Sequence, residues 1–552
     1  MTFYKKYVII IIESKKEINN SLALREFKLR EKGDYAMNKF LNGLEDATNF
    51  GYTENGAIKR NTTKSDLLDM FALGAAMRSR SDADVILMFR KALAENETYA
   101  FKCLLYIRDV RGGHGERRFF RISRKDLAKN YPDIARRNLA HIPQYGRWDD
   151  LYVFEGTDLE NDAFEFMKNQ LALDVECKTP SLLAKWLKSE NTSSRESRRL
   201  GNKTRIAFGM NHKQYRKTLA VLRERINIVE RLMSENRWDE IEFDKIPSRA
   251  GMIYKNAFAR HDLERVQSEK NVVSYADFAK DKDTKVNAKA LYPYECVAEA
   301  LKLFRTGSYW NMRELPAMDD TTRLMVNKYW ENLTDYFNGA TFNGIAVVDT
   351  SGSMVRDDAA APINVAISLC LYCAERAQGP FAGNYSSFAS RPQLIKTEGV
   401  DFVDKVQRIY KTNLVDDTNI EATFDLMLNT AIQNRCSQDD LPQNVIIISD
   451  MEFNSAVGCG WFGRNTSGFN SNNAETLLEG IAKKWAAHGY EMPHLIFWNC
   501  DARQNNIPMI GNGRISYVSG MSPTIFETIM SGKTGYDLMM EKLNSDRYAV
   551  IQ

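Results

Sequence analysis

Cysteine and proline are scarce in this chain: eight and 13 among 552 residues. Eight cysteines without a clustered spacing exclude a disulfide scaffold and fit a reducing compartment, so the expected location is cytoplasmic. Long hydrophobic runs are lacking as well. The apolar stretch at residues 7–12 is closed by Glu13. It falls far short of the roughly 20 residues that a membrane span needs, and it is too short for a secretory signal. No membrane partner is expected. The six histidines form no cluster, and no Ser/His/Asp set can be assembled. What is present is ordinary for globular protein: 44% hydrophobic and 27% charged residues, in a length that calls for two domains or more.

The formal net charge of +3 conceals an asymmetry. Residues 336–552 carry 16 Lys+Arg and 23 Asp+Glu, a net −7, which leaves 59 basic and 49 acidic residues, a net +10, for 1–335. Such a split suggests that the first part meets a polyanion and the second meets cations or basic partners. Drift between two solvated surfaces is the plainer alternative.

The first 36 residues stand apart. Their one apolar run neither alternates nor has a partner strand nearby. Lys32-Gly33-Asp34 can be encoded as a bacterial ribosome-binding site, with Tyr35 and Ala36 as spacer and Met37 as the start. Residues 1–36 are therefore expected to be a non-native extension, with a real N-terminal strand as the alternative.

Residues 37–335 read as a basic, α-helical repeat domain. Leu67, Leu68, Phe71, Ala75 and Ala76 recur at helical spacing behind the cap candidates Ser65 and Asp66. Val85, Met88, Phe89, Ala92 and Leu93 form a second stripe, and Phe101, Leu104, Leu105 and Ile107 a third. Arg111-Gly112-Gly113-His114-Gly115 then marks a connection between helices. Further helices are expected over 132–139, 162–173, 181–187, 215–233, 297–304 and 321–337. Short helices joined by tight turns suggest a solenoid, although no fixed period is evident.

Two stretches concentrate arginine. Residues 108–125 hold seven basic residues (Arg108, Arg111, Arg117, Arg118, Arg121, Arg124, Lys125) against Asp109 and Glu116. Residues 195–225 hold ten (Arg195, Arg198, Arg199, Lys203, Arg205, Lys213, Arg216, Lys217, Arg223, Arg225) against Glu196 and Glu224. Phe119, Phe120, Phe208 and Tyr215 interleave. Guanidinium forks match phosphate oxygens and aromatic faces stack unpaired bases, so an RNA-binding surface is expected, with solvated helix faces as the alternative.

Residues 336–552 read as a doubly wound α/β domain. Gly344-Ile-Ala-Val-Val is a buried parallel strand that runs into Asp349-Thr350-Ser351-Gly352-Ser353, followed by a helix over 362–377. A second strand over 444–449 ends in Asp450-Met451-Glu452, and Thr418 and Asn419 precede a helix over 420–433. Further strands are expected over 495–498 and, at an edge, 515–518. A carboxylate and two hydroxyls on one loop at a strand's carboxyl end sit where open α/β sheets place their sites.

The segment DTSGS resembles the Asp-x-Ser-x-Ser signature of von Willebrand factor A-type domains. That resemblance implies a metal-ion-dependent adhesion site holding Mg2+ or another divalent cation such as Mn2+, with Asp349, Ser351, Ser353, Thr418 and Asp450 as ligands. An all-oxygen donor set suits such a hard cation. Helices followed by an A-type domain resemble the Ro ribonucleoproteins, whose TROVE module is a ring of HEAT-like helical repeats. The chain resembles more closely still a family of unknown function with that architecture, through Tyr106 to Arg117, Gly146-Arg147-Trp148-Asp149-Asp150, DTSGSM and Ile448 to Phe453. This resemblance implies binding of small or structured RNA.

The expected function is that of a non-enzymatic, RNA-binding ribonucleoprotein component with a divalent-metal-binding A-type domain. One alternative is an adaptor whose metal takes a carboxylate from a protein partner. Another is a hydrolase with Asp450 and Glu452 beside the ion. Residues 454–473, rich in Gly, Asn and Ser, are expected to be an insertion beside the metal face. Gly532-Lys533-Thr534 lacks the first P-loop glycine, since position 527 is Glu527. Cys370 and Cys373 read as core, the Arg147 to Asp150 run as a helix-packing corner, and His488 and His494 as surface.

Overall fold

The computed structural model describes residues 48–54, 58–267, 272–301, 318–337, 339–356, 358–387, 392–412, 419–453, 477–507, 514–530, 532–533 and 535–551. The expected extension at 1–36, the insertion at 454–473 and Thr418 lie outside them. After a short antiparallel hairpin of β1 (Phe50–Tyr52) and β2 (Ile58–Arg60), the regular elements among the described residues up to 331 are helices. Polar caps start many of these helices. Ser65 accepts from the Leu68 amide, Ser81 from Asp84, Asn96 from Tyr99, and Asn211 and Gln214 form a reciprocal capping box.

The helix expected over 215–233 is two, His212–Arg225 and Val229–Ser234. Asn227 between them takes φ +47°, a left-handed conformation that ends the first helix. In the Arg111–Gly115 turn, a Cβ on Gly113 would lie 2.0 Å from the Tyr106 carbonyl oxygen, so only glycine permits this chain path.

Residues 344–519 carry a mixed six-stranded sheet in the order β5-β4-β3-β6-β7-β8. The strands are β3 (Gly344–Val348), β4 (Asn384–Ser387), β5 (Leu394–Lys396), β6 (Asn444–Ser449), β7 (His494–Asn499) and β8 (Ile515–Ser519). All neighbours pair in parallel except edge strand β5, which is antiparallel to β4. β4 (Asn-Tyr-Ser-Ser) is polar and β5 has only three residues, so neither was marked as a strand by an apolar run. The two central strands β3 and β6 are buried along almost their whole length, which is why they read as unbroken apolar runs.

The two faces of this sheet build two cores. Ile345, Val347, Val445, Ile447, Leu495 and Phe497 join a cluster with helices between Leu67 and Leu222. Ala346, Val348, Ile446, Ile448, Ile496 and Trp498 join a second with Val229 to Phe337. The alternation of side chains along each strand thus sends one part of the helical region to each face. Both cores run across residue 335. Cys370 and Cys373 are buried in the helix Pro362–Arg376, and all seven described cysteines are free thiols. Among the described residues no helix is long and apolar enough to cross a membrane.

Candidate functional site

Strand register assembles the candidate site. Val348 pairs with Ile448, so the residues that follow, Asp349 and Ser449, emerge side by side at the carboxyl ends of β3 and β6. Ser449 in turn pairs with Asn499 of β7, and Asn499 with Ser519 of β8, giving a polar row along the top of an apolar sheet.

Asp349 is fully buried. Its Oδ1 accepts the Ser351 amide at 2.9 Å and its Oδ2 the Ser449 hydroxyl at 2.5 Å. Burial, and then the neighbouring Asp450 carboxylate, push Asp349 up to about 6 despite these bonds. Ser351 Oγ and Ser353 Oγ lie 3.0 Å apart on the turn that opens after Asp349. The loop after β6 is strained: Met451 takes φ +63°, and its amide donates to Ser449 Oγ at 2.9 Å.

Asp450 is also buried. Its Oδ1 accepts the Glu452 amide at 3.2 Å, and its Oδ2 meets Arg503 Nη2 at 2.7 Å. Arg503 reaches on to Glu54 at 2.9 Å. Asp501 accepts from Arg356 at 2.8 Å and from Ser79 at 2.9 Å. Glu452 points away from this cluster. Its oxygens accept the Glu54 amide and Asn506 Nδ2, both at 2.7 Å, and burial raises its pKa. The hairpin and residues 76–80 therefore clamp the two site loops. Lys59 Nζ reaches Asn506 Oδ1 at 2.5 Å, and the Ala502 amide donates to Ala76 O at 2.9 Å. Sequence reasoning missed Ser449, Arg503 and Glu54. Ser449 carried one signal, its place directly before Asp450 at a strand end.

The donor set can be tested against a divalent cation. Among the described residues no three His, Cys, Asp or Glu side chains form a metal cluster. Two buried carboxylates, Asp349 and Asp450, near enough to interact electrostatically, and two hydroxyls on the turn after Asp349 are all oxygen donors, which suits a hard cation. An octahedral ion with oxygen ligands at 2.0–2.1 Å has adjacent ligands roughly 3.0 Å apart. Ser351 Oγ and Ser353 Oγ, hydrogen-bonded to each other at 3.0 Å, lie close to that edge length. In donor type these residues suit the ion, which would have to displace Arg503 from Asp450 Oδ2. Asn419, the residue after Thr418, caps the helix Ile420–Gln433 through the Ala422 amide.

The arginine-rich stretches divide by partner. Arg108, expected on an RNA-facing surface, is buried at 1% exposure and fastened to Asp150 at 2.7 Å. Its helix ends against the turn at 146–150, so it serves the core. Arg111 is exposed and donates to Gln144 O at 2.9 Å. Arg118 pairs with Asp82 at 2.5 Å, and Arg121 with Asp150 at 2.9 Å and Asp149 at 3.2 Å. Arg124 is buried over Phe101 and Phe154. In the second stretch Arg199 pairs with Glu155 and Glu196, Lys203 with Glu155 and Glu160, and Arg205 with Glu190. Arg195, Arg198, Lys213 and Lys217 are exposed and have no acidic partner among the described residues, and Arg216 donates only to His212 O. Lys213, Arg216 and Lys217 share one face of the helix His212–Arg225 by their spacing.

Three other motifs find places. His114 is buried edge-on to Tyr106, and burial, with Lys542 nearby, holds it down to about 3. The Arg147 to Asp150 run is a packing corner in which Asp150 accepts the Arg147 amide at 3.0 Å. His494, expected at the surface, is half-buried at the start of β7 and bonded to Asn444 and Ser516. It was misread because a strand's first residue can be covered by its neighbours.

Residues 343–548 match DUF7788, a domain of unknown function, and residues 169–339 match a second domain of unknown function, DUF2828. The two matches meet just before β3. An uncharacterized protein of Acanthamoeba polyphaga mimivirus is 28% identical over 523 residues, covering 88% of this chain and 85% of its own length.

Proposed function

We propose that this chain is an RNA-binding, Ro-like protein whose α/β part is an A-type domain that binds Mg2+ or Mn2+. The observation that carries the metal reading is the pair of serine hydroxyls at octahedral-edge separation beside two buried carboxylates. Ser351 and Ser353 would ligate directly, Asp349 and Asp450 directly or through water, and Thr418 from its separate loop. Neutral hydroxyl ligands leave such an ion with excess positive charge, which would draw an anionic group of a partner.

The helical region, read as HEAT- or TROVE-like repeats, would grip RNA through its unpaired cations: Arg195, Arg198, Lys213, Arg216 and Lys217 on two helices, with Arg117 elsewhere. Phosphate contacts of this kind give an affinity that falls steeply with salt. Filter binding across a salt series tests this, together with sequencing of co-purifying RNA against a nuclease-treated control. Flat, weak binding would reject it. One observation favours the second reading, a protein adaptor: Arg199, Lys203 and Arg205 are already neutralised by glutamates. A pull-down that loses protein partners and not RNA on Asp349→Ala would select the adaptor.

A further inference from the structure

Four guanidinium groups surround the corner at 146–150, and only two carboxylates answer them. Arg108 and Arg121 share Asp150, at 2.7 and 2.9 Å. Arg121 and Arg147 share Asp149, at 3.2 and 3.1 Å. Arg117 is the fourth. It stands one helical turn before Arg121, at i and i+4, so the two project to the same side. The Arg117 side chain has no hydrogen-bond or ion-pair partner among the described residues. Its guanidinium is held down to about 10, by burial first and then by Arg147 and Arg121, so the positive charges here repel one another without full compensation.

Arg147 is also incompletely used. Its Nε lies 3.1 Å from Asp149 Oδ1 but makes no hydrogen bond, while its plane is braced 4.1 Å from the Trp186 ring. Arg121 and Arg147 keep 34% and 23% of their side-chain surface exposed, so an incoming group can reach them. The corner therefore has two surplus positive charges, five N–H donors on Arg117 without an acceptor, and one rigidly stacked fork. A phosphate offers one or two negative charges and several acceptor oxygens in a geometry that guanidinium forks match.

We propose that Arg117, Arg121 and Arg147 form a phosphate-binding subsite, which takes a phosphodiester of an RNA strand or a free phosphate. This deepens the RNA reading by naming one contact point, and it includes Arg147, which lies outside both arginine-rich stretches.

The test is calorimetric titration of the full chain at constant ionic strength with inorganic phosphate, with acetate, and with a short single-stranded oligouridylate. Wild type, Arg117→Gln, Arg117→Lys and, as a control at an exposed lysine with no assigned role, Lys178→Gln are compared. Saturable phosphate binding is expected, weakened about tenfold or more in Arg117→Gln, partly restored in Arg117→Lys and unchanged in Lys178→Gln. Oligouridylate that competes with phosphate identifies an RNA strand as the source. Phosphate bound at Arg117 with no oligouridylate binding keeps the subsite and rejects the RNA reading. Absent phosphate binding in the wild type, equal binding by acetate, or undiminished binding in Arg117→Gln overturns the subsite.

Discussion

At the scale of single residues, Asp349 carries the sharpest consequence. Its folded-state pKa of about 6 lies above the ordinary 3.8, so the folded protein prefers the protonated acid. The stability this confers is full below pH 3.8 and is lost as pH rises through 6. The difference is on the order of 2 to 3 kcal/mol. In chelator, the melting temperature of wild type relative to Asp349→Asn should therefore drop between pH 4 and 7, and added Mg2+ should restore it above pH 6. Asp349→Ala should abolish divalent binding in a calorimetric titration while the circular dichroism stays native. His114 works in the opposite direction. Held down to about 3 from 6.5, it adds stability that is present above pH 6.5 and lost as pH falls toward 3. His114→Phe keeps a ring against Tyr106 without a proton to gain, so its acid-unfolding midpoint should lie at lower pH than that of the wild type.

At the scale of elements, the helix His212–Arg225 separates cations that are free from cations that are spent. Lys213 and Lys217 are exposed and unpaired, whereas Arg199 on the preceding helix is held by two glutamates. Lys213→Gln and Lys217→Gln should each lower the slope of log affinity against log salt by about 1 if both meet RNA phosphates. Arg199→Gln should change it less, because its charge is already balanced, and should leave stability nearly unchanged as an exposed pair. Filter binding of the three variants over one salt series checks both expectations. The charge runs were legible in the sequence at 108–125 and 195–225. Which cations were free was not, because Glu155, Glu160 and Glu190 lie outside those runs and meet them only through helix packing.

At the scale of the whole molecule, the helical region and the sheet share their cores. Each sheet face is a core shared with helices from before residue 335. The carboxyl-terminal segment closes the assembly: Arg547 grips the fully buried Asp109, with Nη2 at 2.7 Å, while Tyr548 donates to the same carboxylate at 3.0 Å and Tyr145 donates to Arg547 O at 2.6 Å. Thr524 also donates to Gly113 O, so the Arg-Gly-Gly-His turn is a joint between the two regions, while Tyr292 donates to His114 O from within the helical region. Calorimetry should show a single unfolding transition, not two separated ones. Arg547→Ala should lower stability by about 2 kcal/mol, because Asp109 then stays buried with fewer donors.

The sequence by itself determined the local elements and the chemistry of the candidate centre. The limits of β6 and of the helix Ile420–Gln433 followed from apolar runs and polar caps, because burial on both faces and backbone capping leave a local imprint. Asp349, Ser351 and Ser353 were legible because they share one turn. Only the tertiary structure decided that Ser449 donates to Asp349 and that Arg503, tied to Glu54, covers Asp450. It also decided that Arg108 is core and that the Arg117 side chain has no partner among the described residues. These facts depend on which distant segments meet. Charge pairing and burial are set by contacts between residues tens to hundreds of positions apart, and composition within a window carries no record of them.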